Sequence, residues 1–293
     1  ACESKEWRDW QKATKPELAG NWRLLGTIPG KGDFDARMTV TRNTTGNGFA
    51  VRVTGQYADG TPLSGEGTAR VYTGYEWRAS LDIDGVAMRQ VFAASRDGKT
   101  MEGRQFTRAE REIGARVQAV REGRGSQVLA VFPASLKAGE EQTVTIVGSN
   151  LSGNVSLGRD VRIVKVLSRS ADRVTVRARA TGDTGLRTVS VGQARGKDLL
   201  AVYDNIARVE VQPADAVARI GGPGDAHSAK VRVAYQAVGY ANTPQGEIAL
   251  GTIPVTWSIA PADELAKEEK DDQYAGTIDA NGIFTPGDAG PNT

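Results

Sequence analysis

Few residues in this chain have the type and spacing that catalysis needs. Its one histidine, His227, lies in Gly224-Asp225-Ala226-His227-Ser228. Asp225, His227 and Ser228 match a nucleophilic triad in type, but neighbours this close in one turn rarely aim all three groups together. With no second histidine and a single cysteine, Cys2, a zinc site has almost nothing to be built from. Glu110 and Glu112 are a carboxylate pair of the kind that does acid–base work, yet the arginines around them hold both ionised. Gly30-Lys31-Gly32-Asp33 lacks the Gly-Lys-Ser/Thr ending of a phosphate loop and no helical pattern follows it, so it reads as a tight turn. Asp263 to Asp272 is acidic without the alternate carboxylates and central glycine of a calcium loop. Its opposite charges at i,i+4, Asp263 with Lys267 and Lys267 with Asp271, suit a short exposed helix or a loop. Asn150-Leu151-Ser152 and Asn154-Val155-Ser156 are formal glycosylation sequons whose asparagines serve equally as turn formers. On these patterns no catalytic, cofactor-binding or metal-ligating residue is assigned to the chain.

Cys2 sits near the start, but Ala1 precedes it, which reads against lipid attachment. Haem attachment there fails, because Glu3-Ser4-Lys5-Glu6 supplies neither the second cysteine nor the histidine of Cys-x-x-Cys-His. Lys and Arg number 37 against 35 Asp and Glu, a formal charge of +2 spread along the chain without a basic block. That is no electrostatic footprint for nucleic acid. No apolar run approaches the ~20 residues needed to cross a bilayer, so no membrane partner is expected.

The elements that must position any site are strands. The 293 residues suit two or three domains, and 35 glycines with only 6% aromatics and recurrent Val and Thr favour strands and turns over helices. Residues 1–15 read as a helical tail, with Trp7 and Trp10 on one face. From 16 to 124 the pattern predicts an antiparallel β-barrel-like domain of eight strands, linked by Asn47-Gly48, Asp59-Gly60, Asp84-Gly85 and Asp97-Gly98. Gly20-Asn21-Trp22 is similar to the Gly-x-Trp that opens lipocalins, with Trp22 read as a plug in a barrel filled by its own side chains.

Residues 125–213 predict an immunoglobulin-like β-sandwich closed by Val209-Glu210-Val211-Gln212-Pro213, and 214–293 a second one around Trp257. In that last module strands are expected at 229–237, 246–250, 254–259, 276–279 and 282–285. A sandwich of about seven strands would then lack its closing strand, so the chain reads as a segment of a larger polypeptide. The fold class expected is therefore all-β.

The order of pieces carries a resemblance. Leu18-Ala19-Gly20-Asn21-Trp22-Arg23-Leu24 with Pro29-Gly30-Lys31-Gly32-Asp33-Phe34 resembles the second domain of the alpha subunit of quinohemoprotein amine dehydrogenase. Ala201-Val202-Tyr203-Asp204-Asn205-Ile206 resembles the end of its third domain, and Ile253-Pro254-Val255-Thr256-Trp257 with Gly282-Ile283-Phe284-Thr285-Pro286 resembles its fourth. The resemblance implies a periplasmic complex that oxidises primary amines to aldehydes and passes electrons through haem c. It implies an upstream di-haem cytochrome c domain, a β-propeller subunit and a small subunit bearing a thioether-crosslinked tryptophylquinone as partners. The haem and quinone lie elsewhere in that complex, so this stretch is expected to be scaffold. Two other readings differ in class: a surface or secreted tandem of immunoglobulin-like modules for adhesion or carbohydrate binding, whose aromatic platform the spread positions of Tyr235, Tyr240 and Trp257 do not show, and a stand-alone small-ligand carrier built on the first domain, which a barrel filled by its own side chains would rule out.

Overall fold

The computed structural model describes residues 16–28, 31–46, 48–72, 75–107, 114–219 and 230–288. The helical tail expected over 1–15 lies outside the described residues. The chain divides into two compact units, 1–122 and 123–293.

Eight strands make the first unit: β1 (Gly20–Ile28), β2 (Gly32–Arg42), β3 (Gly48–Tyr57), β4 (Pro62–Tyr72), β5 (Glu76–Ile83), β6 (Val86–Ala94), β7 (Thr100–Thr107) and β8 (Ala115–Arg121). Each pairs antiparallel with the next, and β1 pairs with β8, from Trp22 opposite Arg121 to Thr27 opposite Arg116, so the sheet closes into the expected barrel. Alternation sets the inner face. On β3 Phe49, Val51 and Val53 are buried, and on β5 Trp77, Ala79, Leu81 and Ile83 are buried, while the residues between them are exposed. The Asp84-Gly85 turn has both residues at positive φ, 52° and 81°, the twist a two-residue hairpin needs, and Asp84 accepts from the Ser64 amide at 3.1 Å.

A closed sheet of this size must bend sharply, and glycines mark where it does. A methyl on Gly67 would come within 2.0 Å of the Ser80 carbonyl oxygen across the β4–β5 pair, and one on Gly103 within 2.1 Å of the Val91 carbonyl. Neither has positive φ, so close approach of the neighbouring strand is what requires glycine there.

The second unit begins with β9 (Gln127–Phe132), β10 (Ser135–Lys137), β11 (Glu141–Ser149), β12 (Val155–Ser156), β13 (Val161–Arg169), β14 (Arg173–Ala180), β15 (Gly185–Val191) and β16 (Ala194–Tyr203). They form two four-stranded sheets, ordered β10-β16-β15-β12 and β13-β14-β11-β9, around a core that includes Leu136, Ile146, Leu157, Val176, Val189 and Leu200. Next come β17 (Arg208–Gln212), β18 (Val233–Ala234), β19 (Gln236–Thr243), β20 (Gly246–Thr252), the short helices α1 (Glu264–Glu268) and α2 (Asp271–Tyr274), β21 (Gly276–Ile278) and β22 (Ile283–Pro286). Their sheets are three-stranded, ordered β17-β19-β20 and β18-β22-β21.

Three local expectations are corrected. Val209 to Gln212, expected to close the central module, instead pairs with β19, Val209 opposite Gly239 and Val211 opposite Ala237, and so belongs to the sheet that follows. Residues 254–259, expected as a strand, form none: Val255 and Trp257 alternate inward but pack as extended chain against the small core of Ala237, Ala241, Leu250 and Ile253. The charge pattern expected on α1 also differs, since Lys267 lies 3.8 Å from Glu264 at i,i+3, while Asp263 caps the helix by accepting from the Ala266 amide at 2.8 Å.

Gly67→Ala should cost the barrel about 1–3 kcal/mol by overpacking. Gly123→Ala, at a glycine in open space, should stay within about 0.5 kcal/mol of wild type. Denaturant titration followed by tryptophan fluorescence reads both, and equal stabilities would show that the close approach at Gly67 is not what demands glycine.

Candidate functional site: the barrel interior and its closed end

A barrel interior is where a small ligand would go, so its contents decide what this one can do. The inner wall is occupied by Trp22, Phe34, Trp77, Phe92, Met38 and Met101, each at most 1% exposed, with Leu24, Leu63, Leu81 and Phe49 between them. Phe49 and Trp77 meet with ring centroids 5.8 Å apart and a 41° tilt. The polar atoms inside form one satisfied chain. Trp77 Nε1 donates to Gln90 Oε1 at 3.1 Å, Gln90 Nε2 to Gln105 Oε1 at 3.0 Å, and Gln105 Nε2 to Met88 Sδ at 3.3 Å. Gln90 is wholly buried and Gln105 nearly so, a polar thread that an apolar core tolerates only because its donors and acceptors are used internally.

One end of the barrel is closed by Trp22, which donates from Nε1 to the Leu18 carbonyl at 3.0 Å. Arg121, opposite Trp22 in the β1–β8 register, lays its guanidinium over the indole with Cζ 4.5 Å from the ring centroid. The same fork donates to the Gly98 carbonyl at 2.9 Å, to the Ala19 carbonyl at 2.7 Å and to the Glu17 carbonyl. Burial pushes the Arg121 pKa down, partly offset by Glu17 nearby. Gly20 completes the lock: its φ of +131° disfavours a side chain, and a Cβ there would lie 2.8 Å from Arg121 Nη1. The Gly-x-Trp pattern thus has a physical reason here, since glycine makes room for the arginine that covers the tryptophan.

On the wall at β1 and β2, Arg23 is almost fully buried and grips Asp35 through Nε at 3.1 Å and Nη2 at 2.8 Å to both carboxylate oxygens. Arg23 Nη1 also lies 3.8 Å from Glu122, which takes a bidentate contact from Arg37 down to 2.7 Å. Beside them Asp33 accepts from the Thr27 hydroxyl at 2.6 Å, and burial still pushes its carboxyl pKa up. Two grooves lie along the barrel's outer wall. One of about 380 Å3 is lined by Arg70, Tyr72, Arg78, Arg89 and Phe106, and another of about 620 Å3 by Leu25, Glu102, Arg104, Arg116 and Gln118.

Of the residues that sequence offered for chemistry, those among the described residues serve turns and strands. Lys31 lies in the β1–β2 turn, its amide donating to the Ile28 carbonyl at 3.0 Å, and Gly32 and Asp33 begin β2 opposite Ile28 and Thr27. Asn150 sits at φ 52° and donates from its side chain to the Arg124 and Gly125 carbonyls at 3.2 Å each, the work of a turn former. Cys2, Glu110, Glu112, Asp225, His227 and Ser228 lie outside the described residues. Among the described residues no group of three His, Cys, Asp or Glu side chains could hold a metal. Tyr235 and Trp257 approach at 6.3 Å with a 37° tilt, whereas Tyr240 lies under Arg208 at 4.0 Å, so the three rings do not make one platform. Arg208 bonds Glu247 and Glu210, which raises its own pKa and lowers both of theirs. Sequence reasoning missed Arg121 and the two glutamines. The one signal for Arg121 was its place at the end of the last strand, where barrel closure sets it against the first.

A self-filled barrel followed by paired β-sheets defines an all-β protein of several modules. Three family models cover the chain in order: quinohemoprotein amine dehydrogenase alpha subunit domain II over 15–122, domain III over 125–204 and domain IV over 209–293. The chain belongs to the quinohemoprotein amine dehydrogenase alpha subunit family. Solved structures similar to part of it include a redesigned β-barrel, mFAP1, bound to DFHBI, at 16% identity over 36% of this chain and 94% of that one, with a TM-score of 0.30. A de novo designed fluorescence-activating β-barrel matches at 20% identity over 36% of this chain and 93% of that one, with a TM-score of 0.28. Among curated protein sequences none matches the chain. The donors in this chain do not fit covalent haem or a thioether-crosslinked quinone, since both need more than one cysteine and only Cys2 is present.

Arg121→Met keeps an apolar stem over Trp22 but leaves the Gly98, Ala19 and Glu17 carbonyls without their donor. It should cost about 1–3 kcal/mol, with Arg121→Lys between the two; thermal melts of the three proteins test the order, and a melt of Arg121→Met that matches wild type would refute the lock. For Asp33 the sign follows from its raised pKa. Its contribution to stability is present below the ordinary aspartate value of about 3.9 and is lost as pH rises through the raised one. Asp33→Asn, which keeps an acceptor for Thr27, should therefore melt higher than wild type at pH 7 and level with it near pH 3. No gap at pH 7 would contradict this.

Proposed function

We propose that this chain is the non-catalytic scaffold and subunit-interaction portion of a periplasmic quinohemoprotein amine dehydrogenase alpha subunit. The observation that carries the proposal is the uninterrupted order of domains II, III and IV over 15–293. In this reading the complex oxidises primary amines to aldehydes. Its haem c, on an upstream di-haem cytochrome c domain, and its tryptophylquinone, on a small subunit, supply the redox chemistry, with a β-propeller subunit as the third partner. What the present chain contributes is rigid surface. The packed interior of the barrel supports this, because a wall lined by Trp22, Trp77, Phe34 and Phe92 at near-zero exposure has its volume taken by its own side chains. The single cysteine supports it too.

Two measurements test the proposal. The purified 293-residue product, expressed in a host that matures c-type haem, should show no covalent haem absorbance and no amine-dependent reduction of a dye acceptor. The same chain carrying an affinity tag, placed in the periplasm of its own host, should retain the propeller and quinone-bearing subunits through purification. Covalent haem or amine turnover by the chain alone, or failure to retain either subunit, would overturn it.

A further inference from the structure

The formal charge that looks evenly spread along the sequence is concentrated in space on one hairpin. Between Arg159 and Arg179 there are seven arginines and lysines against two acidic residues, in a chain whose total is only +2. The register then sets like charges face to face: Arg162 is opposite Arg179 and Lys165 opposite Arg177 on the same outer face of β13 and β14. Directly opposed like charges destabilise a strand pair. Arg177 is relieved by Glu141 at 3.1 Å, and among the described residues Arg162, Lys165 and Arg179 have no carboxylate partner. At the turn of the hairpin Arg173 Nη1 is buried with no hydrogen-bond acceptor among the described residues.

The edge of the same hairpin is apolar where an edge is normally guarded. β13 is the last strand of its sheet, and its register slips twice, between Ile163 and Lys165 and between Val166 and Ser168. The residues passed over are Val164 and Leu167. Bulges on edge strands ordinarily blunt pairing and favour polar residues. Here Val164, Val166 and Leu167 are 44%, 43% and 47% exposed along the edge, and Val166, opposite the buried Val176, faces away from the Lys165–Arg177 pair, so the apolar residues and the cations share an edge strand and not one face.

We propose that the open edge of β13 is a docking surface for a partner subunit that sets an apolar contact beside carboxylates. The proposal rests on the scaffold reading above and names the part of the chain that performs it. Exposed apolar residues flanked by polar ones are what a protein–protein interface covers, and the cations without a carboxylate partner on the adjoining outer face specify the sign of the partner. A second copy using the same face would be repelled by it. Nucleic acid is not the match, because the hairpin from 159 to 179 has no aromatic ring on which a base could stack.

The test uses the complex purified through the tagged full chain. Zero-length carbodiimide coupling of the intact complex should join Lys165 Nζ to an Asp or Glu of another subunit, and assembly should protect Lys165 from an amine-reactive label. Val164→Asp with Leu167→Asp should speed dissociation of that subunit about tenfold. Arg162→Glu with Lys165→Glu should slow association by about tenfold at low salt, the difference shrinking as salt rises. Melting curves check that the variants fold, and Val164→Ser with Leu167→Ser replaces the aspartates if they do not. If wild type retains its subunits while Lys165 labels freely and the variants assemble normally, this surface is wrong and the scaffold reading stands. If wild type retains no subunit, the scaffold reading falls and this proposal with it. Concentration-dependent self-association through this hairpin, or binding of a single-stranded oligonucleotide as strong as that of the partner subunit, would also overturn it.

Discussion

Closure of the first sheet on itself is the constraint on which the barrel depends. Eight hairpin-linked strands leave two open edges unless β1 meets β8, and an open edge is a template for unwanted pairing. Closing at this size forces strands close together, so Gly67 and Gly103 lie where a methyl would strike a neighbouring carbonyl. Closure also leaves an end to be sealed. Trp22 does so, and it is held by Arg121, which the last strand presents only because that strand is hydrogen-bonded to the first. Seam and plug are therefore one device: the pairing that removes the edge also delivers the cation that locks the tryptophan.

The sheets of the second unit cannot close, and they are held by other means. Arg187 on β15 is almost fully buried and donates to the Arg159 carbonyl at 2.9 Å and the Asp183 carbonyl at 2.6 Å, tying two loops to the sheet that carries it. Burial lowers its pKa, but an arginine keeps its charge through such shifts, so the clamp persists at any pH the protein meets. Edges that remain open are treated unequally. On β17, which pairs only with β19, Val209 and Val211 are as exposed as the apolar residues of β13, but Arg208 and Glu210 are paired on the same strand. On β13 the cations lack such acids, and that difference separates a guarded edge from one whose charge is left for another surface.

The barrel was legible because its physics is local. Inward alternation on β3 and β5 has period 2, and the Asp-Gly turns name their own φ angles, so the strands came within a residue or two of their observed ends. The interior was legible as filled, but not by what. Gln90 and Gln105 alternate in phase with apolar residues, and only the register, Gln90 opposite Gln105, shows that each satisfies the other. Segments read by composition alone failed. Val255-Thr256-Trp257-Ser258-Ile259 has strand residues and alternation, yet its inward side chains find a small core without any strand beside it to pair with. Val209 to Gln212 reads the same whether it ends one module or starts the next, because a strand's partner lies far off in sequence.

The shifted ionisable groups among the described residues are spent on local structure. An active site pushes the pKa values of neighbouring groups apart inside a cleft. Here the carboxylates shifted downward are turn and surface groups. Asp59 is lowered by the Thr61 amide, Asp97 by Ser95 and then the Lys99 amide, and Glu17 by the Ala19 amide and then Arg42. Glu210 and Glu247 answer to Arg208 on an open surface. The carboxylate shifted upward, Asp33, is raised by burial, with the Thr27 hydroxyl pulling the other way. Each of these perturbations fixes a turn, a strand pair or a wall. Groups arranged in this way hold local geometry, because each shift comes from a hydrogen bond, an ion pair or burial within its own turn, strand pair or wall.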